Sequence, residues 1–158
     1  MSLNSVMLAA ATAFSWTCAA MADGAITIHD AYARSSGPNA KAGAAFMTII
    51  NEALLADRLI GVKSDRAARV ELHTHEVSGD GVMTMTHVED GFVIPPQGEH
   101  ALARGGDHVM FMGLLAPFEH GATFPVTLTF ENAGEIEIEI LIDQERQDGH
   151  GGHKKTGS

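Results

Sequence analysis

From residue 26 onward, apolar and polar positions alternate in short runs that are repeatedly interrupted by Gly, Pro and Asn. Residues 123–130 (TFPVTLTF) and 135–142 (EIEIEILI) alternate with period two, which marks strands with one face buried and the other wet. Asn132-Ala133-Gly134 between them reads as a tight hairpin. An alternating segment runs from Ile26 to about Arg34, and residues 44–50 (AAFMTII) read as a buried strand ending at Asn51. Further strands are predicted over 57–62, 68–77, 82–88, 99–103 and 107–114. The breaks between them are Ser35-Ser36-Gly37-Pro38-Asn39, Ser78-Gly79-Asp80-Gly81 and Pro95-Pro96-Gln97-Gly98. No convincing helical pattern is visible. Many short strands with turn residues at regular spacing predict an all-β fold, an antiparallel sandwich or barrel in a single domain.

The two ends depart from this pattern. Residues 1–22 carry no charge, residues 6–14 (VMLAAATAF) form an apolar stretch, and Ala20-Met21-Ala22 fits a small-x-small cleavage site before Asp23. This is the order of an export signal, although its N-terminal part lacks the usual Lys or Arg. The stretch is interrupted by Ser, Thr and Asn and falls short of the roughly 20 apolar residues that span a bilayer. Cys18 follows Ser15-Trp16-Thr17, a poor match to a lipidation site. The expected organisation is a signal peptide over 1–22, a β domain over 23–143 and a flexible, polar, His-containing tail over 144–158, with the mature protein in the periplasm.

Cleavage alters the available chemistry. Removing 22 residues from 158 leaves 136, and the single Cys (Cys18) and single Trp (Trp16) go with the leader. Thiol nucleophiles, Cys zinc sites and thiolate copper sites are thereby excluded. Hydrophobic residues at 45% and charged residues at 19% are ordinary for a globular domain. The formal charge of −10 makes nucleic acid or an anionic membrane surface an unsuitable partner. It is compatible with cations or a basic protein.

The remaining soft and borderline ligands are nine His residues and Met47, Met83, Met85, Met110 and Met112. Side chains at i and i+2 of a strand share a face. His73 and His75 therefore share one face, Met83, Met85 and His87 another, and His108, Met110 and Met112 a third. Val109 and Phe111 alternate with the last set, as core residues should. A three-residue loop Gly79-Asp80-Gly81 would set Ser78 opposite Val82, His75 opposite Met85 and His73 opposite His87. His73 and Met85 then lie on one diagonal, about 7–8 Å apart, near enough for one ion to bridge them. A two-residue loop would put the two sets on opposite faces. Thioether sulfur is a soft, neutral ligand that favours Cu(I), and imidazole binds copper and zinc alike. A mixed His/Met set is poor for calcium, magnesium or structural zinc. The plain alternative is Met as core filler and His as a solvated side chain, which suffices for His29, His100 and His120.

The runs ELHTHEVSGDGVMTMTHVEDG (71–91) and GGDHVMFMGL (105–114) resemble the PCuAC family of periplasmic copper chaperones. That family's signature is a His, a Met after about eleven residues, and His-x-Met after about twenty-one more. Here eleven residues separate His73 from Met85, twenty-two separate Met85 from His108, and His108-Val109-Met110 supplies the last element. Thr74 occupies an optional Met position. Residues 30–51, 57–73 and 121–140 extend the likeness over roughly 26–143. The resemblance implies a cupredoxin-like Greek-key barrel and a Cu(I) site formed by His73, Met85, His108 and Met110, with His75, Met83 and Met112 as neighbours. It implies a monomeric chaperone, not an enzyme. Its cargo would go to the copper-A subunit of cytochrome c oxidase, directly or through a periplasmic thiol-bearing copper protein. His150 and His153 in the tail match the His-rich tails of relatives and imply additional copper there, as Cu(II); a solubilising end is the plain alternative.

Two other readings compete. One is a periplasmic zinc or Cu(II) enzyme using His73, His75, His108 and Glu76 to activate water. The other is a structural β-sandwich without metal.

Overall fold

The computed structural model describes residues 25–147. The predicted leader and cleavage site, and the tail residues His150 and His153, lie outside the described residues. Among the described residues there are ten strands and no helix: β1 (Ile26–Ser35), β2 (Ala42–Asn51), β3 (Asp57–Lys63), β4 (Ala67–Val77), β5 (Met83–His87), β6 (Phe92–Ile94), β7 (Gly98–Leu102), β8 (His108–Leu114), β9 (Thr123–Phe130) and β10 (Gly134–Ile142). They join in the order β5-β4-β8-β2-β1-β10-β9-β3-β6, with β7 also on β2. All pairings are antiparallel except β1 with β10, which ties the two ends of the folded body together.

The alternation seen in the sequence becomes burial. Phe124, Val126, Leu128 and Phe130 of β9 face inward, while Glu135, Glu137 and Glu139 of β10 stay exposed. Leu59, Val109, Phe111, Val126, Leu128, Ile140 and Ile142 are among the residues of one continuous core. That core draws on every strand but β5, whose five residues are all exposed. β5 is held by its ladder to β4, and its side chains are left for other work.

Three features differ from the expectations. A short strand, β6, forms where none is predicted, because Phe92 and Ile94 can bury against β3. The turn after β9 uses residues 131–133, with Gly134 (φ +78°) already paired to Phe130. The buried Asp57 carboxylate fixes that turn by accepting the backbone N–H groups of Asn132 and Ala133, both at 2.9 Å. Finally, the folded body continues past Asp143. The Gln144 amide donates to Ser35 Oγ and to the Phe118 carbonyl, each at 2.9 Å. Arg146 lies 4.2 Å over the Tyr32 ring and pairs with Asp30.

Candidate metal centre

The hairpin between β4 and β5 takes the register that its loop length predicts. His73 stands opposite His87, His75 opposite Met85 and Val77 opposite Met83. Ser78 N–H donates to the Val82 carbonyl at 2.9 Å, and Gly81 adopts φ +78°. That left-handed conformation is one glycine adopts without strain. On its other edge β4 pairs with β8, setting His73 opposite His108 and Glu71 opposite Met110. Directly opposed residues point the same way, so His73, His75, Met85, His108 and Met110 share the outer face of β5-β4-β8. The alternate residues of β4 and β8, Leu72, Val109 and Phe111, enter the core.

This face is graded in depth. His108 is 1% exposed, His73 is largely covered, and Met85 is 54% exposed. Phe46 covers one side of His108, with ring centres 6.3 Å apart, and itself packs on Tyr32 at 5.2 Å. The imidazoles lie close together: His75 to His108 is 5.1 Å between ring centres, His73 to His87 is 5.7 Å, and His73 to His108 is 6.0 Å. A surface cavity of about 530 Å³ opens over His75, Met85, His108 and Met110, with Phe46 and Arg104 also in its wall.

Each central imidazole has one nitrogen tied. His73 Nε2–H donates to Glu71 Oε2 at 2.9 Å. The Gly106 carbonyl accepts from His108 Nδ1–H at 2.9 Å and from His75 Nδ1–H at 3.2 Å. The other nitrogens of His73 (Nδ1) and His108 (Nε2) are buried and have no hydrogen-bond partner. A buried nitrogen without a partner is costly, and an imidazole tied at one nitrogen with the other free is the arrangement found where histidine ligates a metal. Burial holds the His108 pKa below its ordinary value; the Gly106 carbonyl opposes this and the neighbouring His75 and His73 add to it. The neutral form, the one that binds metals, is thereby favoured. Glu71 is held below the usual carboxylate range, first by its hydrogen bond to His73.

Other sequence-selected residues fall further out. Met83 is exposed near the hairpin tip, and Met112 sits two residues along β8, between Arg69 and Ala42. Glu76 is not brought to the imidazoles: it projects to the opposite side of β4, where Thr86 Oγ1 donates to it at 3.0 Å. The enzyme reading therefore loses its expected base. Among the described residues, no three His, Cys, Asp or Glu groups are disposed to hold an ion by themselves. Glu71 and the Gly106 carbonyl were not singled out in the sequence. Glu71 was legible by parity, two residues before His73; the carbonyl left no side-chain signal.

The family profile described as "Putative lipoprotein LpqE-like" matches residues 26–142. The chain belongs to this LpqE-like, PCuAC family. A member from Leifsonia xyli subsp. xyli, "Putative lipoprotein Lxx21020", is 32% identical over 121 residues, covering 77% of this chain and 70% of its own. Among solved PCuAC structures, the copper-bound domain from PmoF2 superposes with a TM-score of 0.63 at 28% identity, covering 77% of this chain and 94% of that domain. The Cu(I) form of DR1885 from Deinococcus radiodurans gives 0.61 at 29% identity, covering 76% and 78%. The apo form of DR1885 gives 0.60 at 27% identity, covering 91% and 95%. The cupredoxin-like all-β fold expected from the sequence is thus the fold of this PCuAC protein.

Proposed function

We propose that this PCuAC protein is a copper chaperone. It would take one Cu(I) on the outer face of β5-β4-β8 through His108, Met110, Met85 and an imidazole of β4, for which the family spacing selects His73. The observation that carries the reading is the pair of buried, partnerless nitrogens on His73 and His108, set beside two thioethers. Neutral donors of this softness favour Cu(I). The copper-bound PmoF2 domain and the Cu(I)-bound DR1885 point the same way for relatives.

Delivery follows from the same donors. The exposed Met85 is the ligand an acceptor can displace. An incoming thiol loses its proton to water, its sulfur forms a bond to copper, and the Met85 thioether bond breaks. The recipient is proposed to be the copper-A subunit of cytochrome c oxidase or a thiol-bearing copper protein, met by a monomer in the periplasm. The apolar side chains around Met85 (Val77, Val82 and Met83) are exposed and suit such an approach. His150 and His153 are proposed to bind further copper, as Cu(II). Export is supported by the leader and by the family's description as lipoproteins. The intact mass of the exported chain separates cleavage after Ala22 from lipid attachment at Cys18.

The test is X-ray absorption on anaerobically Cu(I)-loaded protein. About two sulfur and two nitrogen neighbours are expected. Met110→Ala should lose a sulfur neighbour and weaken Cu(I) binding at least about tenfold while leaving the fold intact, because Met110 lies outside the core. Nitrogen-only coordination, or unchanged affinity in Met110→Ala, would overturn the assignment.

A further inference from the structure

The family spacing selects His73 on β4, yet the cavity that opens over the site is lined by His75. Four of the lining side chains are metal donors, His75, Met85, His108 and Met110, and His73 is not among the lining residues. His75 stands directly opposite Met85 in the β4–β5 ladder. Among the described residues its ring is nearer to that of His108 than any other imidazole is, at 5.1 Å between centres.

The same backbone atom orients both rings. Gly106 O accepts from Nδ1 of His75 and Nδ1 of His108. Both rings are therefore held in the tautomer that leaves Nε2 as a lone pair, and both lie in the wall of one cavity. A carbonyl with two lone pairs can take both donors at once. His73 is placed differently. Its Nε2 is committed to Glu71, its ring stacks on His87, and its free Nδ1 is buried. An ion entering from solvent meets His75 and the exposed Met85 before it can meet His73.

We infer that His75 is a further ligand of the copper, binding through Nε2 at the mouth of the site together with Met85, His108 and Met110. This rests on the chaperone reading above. It puts into the ligand set a residue that the family spacing does not select, and keeps the count at two nitrogens and two sulfurs. It also gives the site two imidazoles on one strand: one at the mouth, where cargo arrives and leaves, and one beneath, backed by a carboxylate. The ion is then held by one β4 imidazole at a time, His75 at the mouth or His73 beneath, so that two nitrogens and two sulfurs ligate it in either place.

Imidazole nitrogen resonances test this without a substitution. ¹⁵N-labelled protein spanning Asp23 to the C-terminus is titrated anaerobically with Cu(I), and the side-chain nitrogens of His73, His75 and His108 are followed. The Nε2 signal of His75 should move in step with that of His108 and saturate at the same equivalent. A stationary His75 Nε2 while the His108 signal moves would overturn the inference and leave the chaperone reading standing. If none of the three imidazoles responds, both fail together. A chelator competition on His75→Gln provides the second readout. Glutamine retains an N–H donor for Gly106 O but offers copper no imidazole, so affinity should drop at least about tenfold. Affinity within about twofold of the parent would count against a ligand role.

Discussion

The chemistry of this face is decided by which nitrogen of each ring is occupied. Histidine has two distinct nitrogens, and the partner of one determines what the other can do. Gly106 O and the Glu71 carboxylate set that choice for His75, His108 and His73. Glu71 is a positioning residue in this scheme. Its removal should leave His73 free to rotate and lower the basicity of the ring. Glu71→Ala is expected to weaken Cu(I) binding about tenfold, within the range typical of such outer partners. Thermal stability should fall by about 1 kcal/mol, since one part-buried hydrogen bond is lost and His73 Nε2 is left without its partner. Chelator competition and a melting curve on the same preparation check both statements. Much of this level was legible from the sequence. His73 and Met85 could be placed on one face because period two and an odd loop dictate parity, while His108 and Met110 joined them only through the family resemblance. His75 was visible too, but as a neighbour, since spacing alone does not say where a cavity opens.

Strand β8 lies between β4 and β2. Its residues alternate between His108, Met110 and Met112 on the outer face and Val109 and Phe111 in the core. Phe111 is fully buried and meets Phe118 and Phe124 edge-on at 5.7 and 5.5 Å. Phe111→Ala should therefore cost about 3–5 kcal/mol, read by denaturant unfolding. Because β8 carries two of the donors, the same variant should bind Cu(I) more weakly under conditions where it stays folded. Strand β2 shows what local patterns leave out. Its first half pairs with β8 and its second half with β7, along one edge. The AAFMTII run reads as a strand in either arrangement. Neighbour choice depends on which apolar faces meet, a matter of distant residues. The missed strand β6 has the same origin: three residues carry too little pattern, and pairing with β3, with Phe92 and Ile94 buried in the core, creates it.

At the scale of the whole molecule, the chain is closed where its ends meet. β1 and β10 run parallel, and the segment after β10 straps across the bulge in β1. Asp30 adopts φ +57° at that bulge and pairs with Arg146, whose guanidinium also covers Tyr32. Tyr32 packs on Phe46, and Phe46 packs on His108. The strap thus supports the back of the metal face. The hydrogen bond to Arg146 holds the Asp30 pKa below its ordinary 3.8. A carboxyl lowered on folding contributes stability above its unfolded value and loses it as pH falls through the folded one. Arg146→Ala should remove that contribution and raise the Asp30 pKa toward 3.8, as read by NMR titration of the side-chain carboxyl. At neutral pH the loss should be about 1 kcal/mol, since the pair is solvent-exposed and the stacking on Tyr32 adds a similar small amount.

By itself the sequence determined what is local: the strands, the hairpin loop that sets parity, and the donor types that point to Cu(I). Period-two alternation and turn chemistry act over a few residues, so they can be read without a fold. Only the tertiary structure decided that β4 lies between β5 and β8, that Gly106 O serves two rings, that Glu71 backs His73, and that His75 faces the opening. Those facts come from contacts between residues far apart in the chain. They are set by the packing of one shared core, to which no single segment holds the key.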